Sequence, residues 1–261
     1  MLDDFNKAFR HRISFPECEP ITSENLHMVL EKTAQTLPFE NLAILANQTK
    51  EISKEHLIRK IIQQKTGGVC YELNAILYLF LQENGVDVSL IRGAVYDEQK
   101  ESWSETGQTH AATLVFHHGE TYLVDTGFGG NLPLAPVPLT GETIVSANGE
   151  FRIKKEESPY GDYILEIKLK HKHTEWKTGY AFDSKIKVNK LSELNGMQEV
   201  IVHHPASPFN KKPLLTRRTD LGTITLTDTS LTKWTDEKQT KQEVTEETFH
   251  QAAQDFFGID A

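Results

Sequence analysis

Cysteine is scarce: the 261 residues include only Cys18 and Cys70. Two thiols without a secretory leader do not make a disulfide framework, so the expected setting is the reducing cytoplasm with both thiols free. No apolar run approaches the ~20 residues that would span a bilayer. The opening MLDDFNKAFRHRISF has mixed charge and lacks the apolar stretch of a signal peptide. Basic residues are in deficit, 28 against 37 acidic, for a formal net charge of −9. Phosphate backbones call for the opposite balance, which argues against a nucleic-acid partner. Phosphate-cradling and dinucleotide fingerprints, internal repeats and low-complexity tracts are missing too. Metal ligands are poorly arranged. His117-His118 and His203-His204 are adjacent, which on a strand sends the two rings to opposite faces. His171 and His173 sit in a lysine-rich turn, and no cysteine or carboxylate cluster joins any histidine at ligand spacing, so no metal is expected. What is present, 38% hydrophobic and 25% charged residues, describes a globular chain with room for two or three sub-domains.

The first third reads as helical. Leu26, Val29, Leu30 and Thr33 share a face within 22–47, with Thr22 or Ser23 as candidate cap and Pro38 as terminator. A second helix is expected over 53–64, opened by Ser53. A third starts at Cys70, with Leu73, Ile76, Leu77, Phe80 and Leu81 as its stripe and Asn84-Gly85 as its stop. After Gly85 the pattern turns to strands at 86–95, 109–117, 120–125, 151–154, 163–170 and 178–182. The segment 131–141, with three prolines, reads as a loop. Residues 191–261 mix a helix near 192–201, strands near 214–231 and a last helix near 246–257. The expectation is an α+β architecture: a helical domain over 1–85, a β domain over 86–190 and a smaller α/β domain over 191–261.

Cys70 follows Thr-Gly-Gly-Val at a helix start, where unpaired amides and the macrodipole favour an anion, hence a thiolate or an oxyanion. A buried, inert cysteine is the alternative. A neighbouring base and carboxylate would decide between them. If 110–125 is a hairpin turning through His117-His118-Gly119-Glu120, paired residues sum to 237 and Asp125 faces Ala112. His110, two residues away, then shares its face and forms a diagonal pair at roughly 7–8 Å. A slip of one residue would separate them. Gly127, Gly129 and Gly130 suggest a close backbone approach. Lys211-Lys212 and Arg217-Arg218 are either a solvated face or phosphate contacts.

Arg12-Ile13-Ser14-Phe15, Pro38-Phe39-Glu40-Asn41-Leu42, Gly67-Gly68-Val69-Cys70-Tyr71-Glu72-Leu73-Asn74, His110, Asp125-Thr126-Gly127-Phe128-Gly129 and Ser207-Pro208-Phe209 occur in an order and spacing that resembles the arylamine N-acetyltransferases along nearly the whole chain. The resemblance implies a helical domain, a β-barrel and an α/β lid, with a Cys70–His110–Asp125 triad. It implies acetyl transfer from acetyl-CoA to arylamines, hydrazines or arylhydroxylamines, a xenobiotic-metabolising chemistry, in a monomer or homodimer whose partners are small amines and CoA. Phe39, Val95 and Phe128 would then line the amine pocket, with Gly107, Thr109, Gly127, Gly129 and Phe209 near CoA. An amide synthase of the same fold, a cysteine peptidase or transglutaminase, and a catalytically silent binding protein are the other readings.

One position departs from the pattern. The family usually carries an arginine before Gly-Gly, paired with the glutamate of Pro-Phe-Glu-Asn-Leu; here Thr66 stands there, after Lys65. A buried Glu40 would need another cation. Arg12, whose fork suits a carboxylate, is the expected one, and Lys65 is the runner-up.

Overall fold

The computed structural model describes residues 4–235 and 238–260. Its elements run α1 (Phe5–Arg12), α2 (Leu26–Thr36), β1 (Phe39–Glu40), α3 (Leu42–Leu45), α4 (Lys54–Leu57), α5 (Cys70–Glu83), then strands β2 (Asp87–Asp97), β3 (Ser102–Trp103), β4 (His110–His117), β5 (Glu120–Val124), β6 (Val137–Pro138), β7 (Ile144–Ser146), β8 (Gly149–Ser158), β9 (Gly161–Leu169) and β10 (Lys177–Val188). The chain continues with α6 (Leu194–His203), β11 (Leu214–Thr219), β12 (Gly222–Thr227), β13 (Ser230–Thr235), β14 (Gln239–Glu243) and α7 (Glu246–Phe257).

α5 forms because its stripe is apolar almost all round. Leu73, Ala75, Ile76, Leu77, Phe80 and Leu81 are fully buried, as in a helix enclosed on every side. It begins at Cys70 and ends at Asn84, whose amide closes on Phe80 O, with Gly85 following at φ 76°, where glycine carries no Cβ penalty. α2 is shorter than its sequence suggested. Thr22 and Ser23 lie before it, and Asn25 is the capping position, without a side-chain cap bond. Asn25 instead spends its amide on Glu19 Oε1 and Pro20 O.

The segment after Ser53 also differs from a simple helix. Ser53 Oγ accepts from the His56 amide, as a cap should. From Ile58 to Gln63, however, the coil widens to a π-helix, and Gln64 N reaches back to Arg59 O at 2.9 Å. The wider turn carries both Lys60 and Ile61 inward, and both are buried.

A nine-stranded antiparallel sheet runs β6-β5-β4-β2-β10-β9-β8-β7, with β3 added on β2. It curls until β6 comes against β8, a nearly closed barrel. Its interior holds Ile91, Leu114, Leu123, Phe151, Leu165 and Phe182. The β4–β5 hairpin keeps the expected register: Thr113 faces Val124 and His117 faces Glu120, both pairs summing to 237. His118 is not on a strand but in the turn at φ 50°, so its ring folds against His117 with 3.9 Å between centroids instead of pointing away. Within 131–141, Val137–Pro138 forms a short strand on β5, using Tyr122 and Leu123 as partners. A second, five-stranded sheet runs β1-β11-β12-β13-β14 and packs on α7. Its first strand comes from the N-terminal segment: Phe39 pairs Thr216 and Glu40 pairs Leu215.

Candidate active site

The N-terminus of α5 meets β4 and the segment after β5. Gly67 and Gly68 let this happen. A Cβ on Gly67 would lie 1.9 Å from Pro38 O, and one on Gly68 2.7 Å from Glu72 Oε2. The passing chain is stitched on by Glu40 N to Gly68 O and Gly68 N to Pro38 O. Val69 is the capping residue, and Leu73 N makes the first full-turn bond to Val69 O. The Cys70 and Tyr71 amides precede that bond, at the positive end of a 14-residue helix. Glu72 Oε2 accepts from Val69 N at 3.1 Å and so fixes the turn that presents Cys70.

Cys70 is 5% exposed, and its thiol donates to Thr109 O at 3.4 Å. His110, the next residue along β4, bonds through Nε2 to Asp125 Oδ2 at 2.6 Å, which leaves Nδ1 as the nitrogen for the Cys70 side. The carboxylate of Asp125 is saturated. Oδ2 also accepts from Tyr180 OH at 2.9 Å, and Oδ1 accepts from Asn74 Nδ2 at 2.9 Å and Gly127 N at 2.7 Å. Asn74, one turn along α5 from Cys70, also donates to Ala111 O and accepts from Thr126 N. It locks helix, strand and loop together. Gly127 has no room for a side chain: a Cβ would sit 2.6 Å from Cys70 Cα.

Burial works against charging His110, but the Asp125 charge and hydrogen bond, helped by Cys70, outweigh it, and its pKa is pushed up to about 10. Asp125 mirrors this. Burial favours its neutral acid, yet His110, Asn74 and the Gly127 amide together hold it below the usual carboxylate range. An imidazole whose proton affinity is raised in a dry setting beside a thiol can draw the thiol proton and make the cysteine a nucleophile.

The structure thus brings Cys70, His110, Asp125, Thr109 and Gly127 into one cluster. Phe128 joins it, its ring 5.1 Å from those of both His110 and Tyr180. Val95 and Phe128 both pack against the barrel core. Phe39 and Phe209 face each other at 5.3 Å within the helical core that includes Cys70. Gly107 and Gly129 lie in turns of positive φ, 66° and 59°, two residues from Thr109 and Gly127. Neither Asn74 nor Tyr180 has a role that the sequence alone indicates. Asn74 stood inside a quoted motif; Tyr180 lay in an expected strand with nothing local to mark it.

Glu40 is buried as expected, but its cation is neither Arg12 nor Lys65. Lys60 Nζ lies 2.7 Å from both oxygens of Glu72 and 3.5 Å from Glu40 Oε1. Burial lowers the affinity of Lys60 for its proton, but the two carboxylates more than reverse that and raise its pKa; in turn Glu72, also opposed by burial, is held low by Lys60, His56 and the Val69 amide. Arg12 donates instead to the carbonyls of Ile61 and Lys65. Thr66 donates to Lys60 O at 2.8 Å. Among the described residues no three metal-ligating side chains gather, and no helix is long and apolar enough to cross a membrane.

A cysteine at a helix start, backed by His–Asp from a barrel strand and the segment after its neighbour, is an arrangement suited to cysteine-dependent acyl transfer. An N-acetyltransferase family model matches residues 22–261, and the chain belongs to the arylamine N-acetyltransferase family. The uncharacterised acetyltransferase YvcN of Bacillus subtilis is 41% identical over 231 residues, 88% of each chain. Among solved structures, the arylamine N-acetyltransferase NAT3 of Bacillus cereus, described as having a unique Cys-His-Glu catalytic triad, is 43% identical with a TM-score of 0.93 over 100% of both chains. The Mycobacterium marinum arylamine N-acetyltransferase in complex with CoA is 25% identical with a TM-score of 0.85, covering 97% of this chain and 92% of that one.

Proposed function

We propose that this enzyme transfers an acetyl group from acetyl-CoA to an arylamine, hydrazine or arylhydroxylamine through an acetyl-Cys70 intermediate. The observation that carries the reading is the continuous line from the Cys70 thiol through His110 to a fully bonded Asp125. The bound CoA of the mycobacterial relative supports the choice of donor.

His110 Nδ1 takes the thiol proton, leaving Cys70 as thiolate beside an imidazolium that Asp125 holds in place. The thiolate attacks the acetyl carbonyl, and the oxyanion forms at the positive end of α5. The bond to the CoA sulfur breaks and CoA leaves with the proton from His110. The amine nitrogen then attacks acetyl-Cys70, His110 removes its proton, and that proton returns to Cys70 as the amide departs. Phe39, Val95 and Phe128 are the residues we assign to the amine pocket. Gly107, Thr109, Gly127, Gly129 and Phe209 are assigned to the approach of CoA. We likewise read 1–85, 86–190 and 191–261 as helical, barrel and lid parts of a cytoplasmic enzyme.

Intact-protein mass spectrometry after exposure to acetyl-CoA, without amine, tests the intermediate. One acetyl group on the wild type and none on Cys70→Ala is the expected result. An acetylated Cys18 beside an unmodified Cys70 would overturn the assignment.

A further inference from the structure

Beside the Lys60 cluster lies a cavity of about 800 Å³ that Cys70, His110 and Asp125 do not line. Its volume falls within the roughly 300–1,000 Å³ of small-molecule sites. Glu40, Lys60, Glu72 and His56 form its polar side, while Leu42, Pro213 and Phe249 supply apolar wall. Glu40, Glu72 and Lys60 are each more than nine-tenths buried. Two carboxylates share one ammonium, Lys60 sits closer to Glu72 than to Glu40, and His56 Nε2, 3.9 Å from Glu72 Oε1, also serves Glu72 and not Glu40. Glu40 Oε2 accepts from Leu42 N at 2.8 Å, but Oε1 has Lys60 Nζ only at 3.5 Å, longer than the roughly 2.7–3.2 Å of a good N–H···O bond. A carboxylate offers about four acceptor sites, so this oxygen has capacity left, in a place where excess negative charge is costly. Thr66, also on the lining, turns its hydroxyl back to Lys60 O and so contributes no charge to the space. Lys50 and Arg59 belong to the lining too, but both are exposed and screened by solvent. An anion would meet the two buried carboxylates; a cation meets the deficit.

We propose that this cavity is a binding site for an organic cation, namely an amidinium or guanidinium group carried on a small apolar body. The planar fork pairs with a carboxylate through two parallel hydrogen bonds, and the apolar body covers the wall formed by Leu42, Pro213 and Phe249. The site is separate from the acetyl-accepting thiol, so its occupation does not depend on Cys70 chemistry.

Benzamidinium is the probe, read by thermal unfolding and by calorimetric titration. At ten times its Kd it should raise the Tm of the wild type by about 3 °C, and by the same amount in Cys70→Ala. The neutral isostere benzamide should give no shift. Thr66→Arg, which delivers a guanidinium into the cavity from the chain itself, should abolish the shift while remaining folded. Ala46→Trp, at an exposed lining position, should weaken binding at least tenfold by obstruction alone. No shift in the wild type, an equal shift with benzamide, or an undiminished shift in both Thr66→Arg and Ala46→Trp would overturn the site. Loss of the shift in Cys70→Ala would place the cation at the acetyl-accepting thiol instead, and would overturn it too.

Discussion

Asp125 accepts four hydrogen bonds with almost no exposure, and that saturation sets how each residue around it should respond to truncation. Tyr180→Phe removes one bond to a charged acceptor and leaves the ring packing in place. It should lower kcat/KM about tenfold, the equivalent of about 1.5 kcal/mol, with little loss of Tm; an unchanged kcat/KM would make Tyr180 a spectator. The pH response follows from His110. Its ordinary value is 6.5 and in the fold it is pushed up to about 10. A group raised by folding adds stability that is complete below its unfolded pKa and fades as pH climbs through the folded one. The Tm advantage of the wild type over His110→Gln should therefore shrink between pH 6.5 and 10. A constant gap across that range would mean that the imidazole is neutral throughout.

At the scale of the element, the sequence carried the site further than it carried the support behind it. The start of α5 at Cys70 and its stop at Asn84-Gly85 were legible because both ends have strong local signals, and so was the β4–β5 register, because a two-residue side-chain period allows no half-measures. The Lys60 cluster was not legible. Lys60 sits among Leu57, Ile58, Ile61 and Ile62, and an ordinary helix has no reason to turn a lysine inward there; only the π-helical widening does so. Arg12 suits Glu40 by the shape of its fork, but the Ile61 and Lys65 carbonyls claim its guanidinium. The structure reverses the order of sensitivity. Lys60→Met leaves two buried carboxylates without their cation and should cost about 3–5 kcal/mol. Arg12→Ala loses bonds to carbonyls only and should cost about 1–2 kcal/mol. Urea unfolding of both variants gives the comparison, and an Arg12→Ala more damaging than Lys60→Met would restore the ion pair that the sequence suggested.

Across the whole molecule, segments far apart in the chain meet at Asn41. Its side chain donates to Phe209 O and Lys212 O and accepts from Leu214 N, all at 2.8 Å, and the residue is 1% exposed. It stands between Glu40, the last residue of β1, and Leu42, the first of α3. One side chain thus ties the segment that passes the Cys70 turn to the loop that carries Phe209 and leads into β11. No short-range signal in the sequence could show this, because the partners are about 170 positions away. Asn41→Ala would strand one part-buried amide and two carbonyls, each deprived of the same partner. The expected cost is about 2–4 kcal/mol, the sum of partly resolvated orphans rather than of three full bonds. The functional consequence separates this joint from a merely structural one. Phe209 faces Phe39 across 5.3 Å, so loosening the loop should raise KM for acetyl-CoA, while the rate at which a small alkylating agent modifies Cys70 stays within about twofold, since no triad bond is touched. In steady-state kinetics at several amine concentrations, the wild type should give parallel double-reciprocal lines, as an acetyl-enzyme requires. Asn41→Ala should keep them parallel with a steeper common slope when acetyl-CoA is varied. Intersecting lines in the wild type would remove the acetyl-enzyme from the mechanism. An unchanged slope in the variant would show that Asn41 joins these two segments without governing how the donor reaches Cys70.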